Sequence, residues 1–165
     1  MLAGASTSEV IMSTNNKAKP FDNKMVRQAI AYAIDRDAVS ELVISGYGTK
    51  IGSHWPPVTP YYKDMTGRFP YNPEKAKKLL AEAGYPDGFE TTLYGYRDRP
   101  YAEAMVGYLR EVGIKAKLVM MKYSALRERH RAGKVQLNFQ TWGSYSINDV
   151  SAIDSYFFKF QWFYR

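Results

Sequence analysis

The stretch FETTLYGYRDRPYAEAMVGYLREVGIKAKLVMMKYSALRERHRAGKVQLNFQTW, Phe89 to Trp142, decides the fold. Its hydrophobic period switches four times. Phe89–Tyr96 reads as a strand. Tyr101, Met105, Tyr108, Leu109 and Val112 then recur at helical spacing, and Gly113 stops the helix. Lys115–Met121 reads as a second strand and Ser124–Ala132 as a second helix. Val135–Trp142 alternates strictly, with Val135, Leu137 and Phe139 on one face and Gln136, Asn138 and Gln140 on the other. The order β-α-β-α-β predicts an α/β layered sheet with flanking helices, joined by right-handed crossovers.

Outward from this segment the same reasoning holds. In the sequence NPEKAKKLLAEAG, Asn72 is placed to cap a helix, Pro73 suits its first position, and Gly84 ends it. Ala76, Leu79, Leu80 and Ala83 form its apolar stripe. Upstream, Met25, Val26, Ala29, Ile30, Ala33 and Ile34 make another helical face, with Asp22 or Asn23 as N-cap. A further helix starts after Asp35 and ends at Gly46, and residues 9–15 read as a strand. Gly48 to Tyr71, rich in Gly, Pro and aromatics, has no period and reads as a long ordered loop.

The totals fit one domain. At 165 residues the chain can bury a real core without staples, and it contains no cysteine to make a disulfide or a thiolate metal site. A net charge of +7 raises the question of a polyanion partner. The 23 basic residues are dispersed among 16 acids, however. Their densest run, Arg127 to Lys134, falls at a helix end, where cations complement the helix dipole. Charge without a nucleic-acid motif does not make a nucleic-acid binder. The first residues lack the basic and apolar regions of a signal peptide. No GxSxG, HExxH or phosphate-loop motif occurs, and the serines of GSY and STS have no neighbouring base, so an enzyme is not expected. His54 and His130 stand apart without paired carboxylates, which argues against a metal site. His130 reads as a solvated helix-end residue and His54, beside Trp55 and two prolines, as a pocket-rim candidate.

In open α/β sheets ligands bind beyond the carboxyl ends of the strands. Two segments leave such ends: GYRDRPY after the first strand of the deciding segment, and WGSYSINDVSA after the last. They are placed to converge on one ligand.

Several stretches also carry a family resemblance. PFDNKMVRQAIAYAIDRDAV, YNPEKAKKLLAEAGYPDGFE, YAEAMVGYLREVGIKAKLV and LNFQTWGSYSINDVSA occur in order. Together they resemble periplasmic solute-binding proteins of the peptide and nickel class, family 5, which serve ABC importers. The resemblance spans about residue 8 to residue 154 and implies the C-terminal lobe of a two-lobe, type II-like binding protein. Residues 1–154 would form the substrate-binding lobe and 155–165 an atypical aromatic tail. It implies a peptide or peptide-like solute, an ABC permease and an N-terminal lobe as partners, and a periplasmic location; the family leaves room for nickel or haem, but no residue here points to either, so no cofactor is expected. It also implies roles for individual residues. Arg99, in an RPY triplet, would pair with a ligand carboxylate; Arg97 offers the same chemistry, and Arg99 could instead be a loop arginine paired with Asp98. Trp142 would wall the pocket, and Gly143 would let the backbone approach. Where peptide binders carry an amine-binding aspartate, this chain has Tyr145; Asp149 is the nearby acid that could substitute or, with Asn148, cap a helix. A second reading makes the lobe a stand-alone interaction module, its tail of Phe157, Phe158, Phe160, Trp162 and Phe163 gluing it to a partner or to a second copy.

Overall fold

In the computed structural model of the chain, residues 8–52, 57 and 62–143 are described. The elements run β1 (Ser8–Thr14), α1 (Lys24–Ala33), α2 (Arg36–Ile44), α3 (Pro73–Glu82), β2 (Phe89–Gly95), α4 (Arg99–Glu111), β3 (Ile114–Met120), α5 (Tyr123–Arg131) and β4 (Leu137–Gly143). A 3-10 turn, Thr66–Arg68, lies in the region read as loop. The α/β sheet with flanking helices is therefore as expected, with ends shifted by a residue or two. His54, Tyr145, Asp149 and the aromatic tail lie outside the described residues.

Local chemistry explains the helix starts. The Asn23 side chain accepts from Met25 N at 2.9 Å, which decides the α1 cap in its favour over Asp22. Asp35 accepts from the amides of Asp37 and Ala38 to open α2, and Asn72 accepts from Lys75 N at 2.8 Å, with Pro73 next, to open α3. The turn before α1 is tied down from the helix itself: the Arg27 guanidinium donates to the carbonyls of Phe21 and Asp22 at 2.8 and 2.9 Å.

The sheet order is β1-β4-β2-β3. β2 runs parallel to both neighbours, β4 and β3, while β1 pairs antiparallel with β4. This order determines the layers. The β2-α4-β3 crossover steps one way across the sheet, and the β3-α5-β4 crossover steps back. Right-handed crossovers in opposite directions put α4 and α5 on opposite faces. Residue burial agrees. Leu93, Leu137 and Phe139 are fully buried in one core cluster with Val26, Ala29, Leu80, Ala102 and Leu109 from α1, α3 and α4. Leu126 of α5 is buried at 2% but stands outside that cluster. α5 instead reaches the opposite sheet face, with the Arg129 guanidinium 5.6 Å from the Tyr94 ring centre and Tyr123 packed on Tyr96.

The covered second face overturns one sequence expectation, that for His130, and encloses two polar residues of β4. Asn138 and Gln140 take the face opposite Leu137 and Phe139, but that face is covered, and they are 1% and 6% exposed. Asn138 donates to Gln140 Oε1 at 3.2 Å within it. His130 is not a solvated helix-end residue. It is partly buried, in the last turn of α5; burial lowers its pKa, against a smaller opposing effect of Asn138. The α3 stripe is also narrower than its spacing suggests, because only Ala76 and Leu80 are fully enclosed while Leu79 and Ala83 line the margin.

At the other end of the parallel strands two glycines permit a backbone contact. Gly88 (φ +76) and Gly113 (φ +92) abut just before the paired residues Phe89 and Ile114, where β2 and β3 begin. A Cβ on Gly88 would sit 1.9 Å from the Gly113 carbonyl oxygen. No larger residue fits there without moving the strand starts.

Candidate functional site

β2 and β4 are parallel neighbours set in a stagger: Leu93 and Tyr94, near the end of β2, pair with Leu137 and Asn138 at the start of β4, so the rest of β4 runs on beside the segment that leaves β2. They are joined by side chains. Thr141, the residue before Trp142, presents its carbonyl to two donors: Tyr96 Oη at 2.9 Å and Arg97 Nη2 at 3.2 Å. The Thr141 hydroxyl donates to the Asp98 carboxylate, whose Oδ2 also lies 3.3 Å from Arg97 Nε. Arg97 completes the arrangement by resting 5.1 Å from the centre of the Tyr96 ring. Four residues thus lock the β2–α4 connection onto the end of β4.

Asp98 carries strain for this. It adopts the left-handed region (φ 54, ψ 45), uncommon for a residue with a Cβ. It occupies the N-cap of α4, yet its side chain caps no amide of the helix. The carboxylate is turned to Thr141 and Arg97 instead. It also acts on Tyr101, one turn into α4, whose phenol pKa is raised first by burial and then by the Asp98 charge.

The geometry separates the two candidate arginines. Arg97 is engaged by Thr141, Asp98 and the Tyr96 ring and holds the loops in place. Arg99 opens α4, with its side chain 66% exposed. Its Nε lies 2.7 Å from Glu103 Oε1, one helical turn on. The alternative pairing of Arg99 with Asp98 is therefore overturned: Asp98 takes Arg97, and Arg99 takes Glu103. A helix explains why, since residues four apart share one face. Among the described residues, Nη1 and Nη2 of Arg99 have no hydrogen-bond or ion-pair partner. That outer edge of the guanidinium can hold a carboxylate through two parallel hydrogen bonds.

Trp142 and Gly143 enter as the last residues of β4, opposite Glu9 and Ser8 of β1. Of the residues predicted from sequence, the structure thus brings Arg97, Arg99, Trp142 and Gly143 to one end of the sheet. Thr141, Tyr96 and Glu103 were missed. Glu103 was within reach of sequence reasoning through its spacing from Arg99; Thr141 carried no signal, because its role depends on which strand lies next to β2. Among the described residues no three His, Asp or Glu side chains converge on a metal position, and no helix is long and apolar enough to cross a membrane.

The model of the bacterial extracellular solute-binding proteins, family 5 Middle, matches residues 2–164. The chain belongs to that family. Heme-binding protein A of Haemophilus influenzae is 37% identical over 136 residues, which cover 78% of this chain and 25% of that protein. The glutathione-binding protein GsiB of Escherichia coli is 38% identical over 125 residues, covering 73% of this chain and 24% of the relative. Among solved structures, the periplasmic binding protein DppA of Helicobacter pylori, in complex with the peptide STSA, superposes with a TM-score of 0.77 at 28% identity. That match covers 96% of this chain and 30% of DppA. The family-5 chain described here thus spans about a quarter of the length of these curated relatives.

Proposed function

We propose that this chain is the ligand-binding lobe of an extracytoplasmic, periplasmic solute-binding protein that delivers peptides or peptide-like solutes to an ABC permease. Binding rather than catalysis is its task. A second lobe would close over the ligand by hinge motion, a population shift driven by ligand contacts to both lobes. The observation that carries this reading is Arg99: a guanidinium with an outer edge open among the described residues, on the first turn of a helix, beyond the carboxyl end of the parallel strand β2 in a family-5 fold. A peptide ends in a carboxylate, the group this edge is shaped to take.

In this reading Trp142 and Gly143 wall the ligand. Tyr145, in place of an amine-binding acid, makes a free α-amine dispensable, unless Asp149 supplies the charge. His54 would sit at the rim. The relatives named for glutathione and the peptide-bound DppA are consistent with a ligand of this chemistry.

The test is Arg99→Ala in the protein that carries both lobes, with peptide binding followed by calorimetry. Loss of a bidentate charge-assisted contact predicts about 10- to 100-fold weaker binding of a free-acid peptide and little change for its carboxamide. Equal affinity of wild type and variant for the free acid would refute the role of Arg99.

A further inference from the structure

We infer that Glu103 is a positioning residue for Arg99: it holds the guanidinium by its Nε side so that the Nη1–Nη2 edge is presented, already oriented, to a ligand carboxylate. The inference rests on the reading of Arg99 as the carboxylate-binding group and adds the residue that sets its geometry.

A guanidinium has two edges that can pair with a carboxylate: the side edge, Nε with one Nη, and the end edge, Nη1 with Nη2. Glu103 takes the side edge, with Oε1 at 2.7 Å from Nε. The end edge remains open among the described residues. The two carboxylates therefore do not exclude one another. Asp98, next to Arg99 in the chain, is not a rival, because it is engaged by Arg97 and Thr141. Glu103 lies inside α4, so its backbone is fixed by the helix, whereas Arg99 stands at the helix end. The rigid partner thus orders the long, flexible one before ligand arrives, reducing the rotamer freedom lost on binding.

Glu103 also has an effect that opposes this one. Its negative charge weakens the attraction of Arg99 for any anion. The two effects are separable by substitution. Glu103→Gln keeps a carbonyl acceptor for Nε–H and removes the charge, whereas Glu103→Ala removes both. If positioning matters, a free-acid peptide binds with the order Glu103→Gln at least equal to wild type, and Glu103→Ala weaker by roughly 3- to 10-fold. If Glu103 merely competes for Arg99, both variants bind more tightly than wild type.

The experiment uses the protein that carries both lobes in solution NMR, with N-acetyl-Ala-Ala as probe and its carboxamide as control. In the ligand-free protein the Arg99 Nε–H resonance should exchange with water more slowly than those of other exposed arginines, and this protection should vanish in Glu103→Ala but persist in Glu103→Gln. Titrating the free acid should shift the Arg99 Nη resonances while leaving Nε–H protected, and the carboxamide should not. An unprotected Nε–H in the wild-type protein overturns the positioning role whatever the ligand does. Protected Nε–H with no response of Arg99 to the free acid instead overturns the assignment of Arg99 itself, and the role of Glu103 falls with it. Loss of Nε–H protection on ligand addition shows displacement of Glu103 and likewise overturns the inference.

Discussion

The two faces of the sheet are built on different principles. Under α1, α3 and α4 the face is mainly apolar, with Leu93, Leu137 and Phe139 fully enclosed in the hydrophobic core cluster. Under α5 it is polar, with Asn138, Gln140 and His130 set against the strands and Arg129 covering Tyr94. The first face is held by excluded surface and close packing, so its stability depends on volume. The second buries polar groups away from water: Asn138 donates to Gln140, while Asn138 Oδ1 and Gln140 Nε2 find no hydrogen-bond partner among the described residues, so it contributes less, and through His130 it depends on pH. β4 belongs to both, because its side chains alternate, and it ends at Thr141 to Gly143 where the loops meet.

That contrast is open to test, beginning with the largest effect. Phe139→Ala on the apolar face should destabilise the chain by about 3–5 kcal/mol, measured by urea unfolding. Gly88→Ala perturbs neither face but the start of β2. Its Cβ has no room beside the Gly113 carbonyl and its φ is positive, so a loss of about 3 kcal/mol is expected in the same assay. A stable Gly88→Ala variant would show that the strand starts can move independently of the faces. Asn138→Ala on the polar face should cost about 1–3 kcal/mol, from stranded partners rather than lost volume. A cost matching Phe139→Ala would erase the distinction between the faces.

The smallest effect is the one unique to the polar face. His130 has a folded-state pKa below its ordinary value of 6.5, because burial disfavours the charged imidazolium. Above about 6.5 the residue is neutral whether folded or unfolded, and its contribution is fully present. As pH falls below that value the unfolded chain takes the proton first, so stability declines towards the folded pKa. Urea midpoints at pH 7.5 and 5.5 should differ by less in His130→Ala than in wild type. The apolar-face variant should keep the wild-type difference.

Much of this was legible in the residues. Asn23, Asp35 and Asn72 mark helix starts because a short polar side chain satisfies amides of the first turn, a local matter. Helical and alternating periods located α1 to α5 and the strands for the same reason. The buried status of Asn138 and Gln140 was not legible. Alternation on β4 says that they share a face; whether that face meets water depends on where α5 is carried by the strand order. Phe21, fully buried against Phe89, likewise stands outside any periodic run and was placed by long-range packing.

The site divides along the same line. By itself the sequence determined the layered α/β class, the family resemblance, and the arginines near the end of one strand with the tryptophan at the end of another, because these follow from local period and motif order. Only the tertiary structure decided that β4 lies beside β2. That adjacency puts the Thr141 carbonyl within reach of Tyr96 and Arg97, gives Asp98 to Arg97, and leaves Arg99 to Glu103 with its outer edge open. Choosing between two arginines two residues apart required knowing which partners each could reach, and those partners lie some forty residues apart in the chain or one turn along a helix.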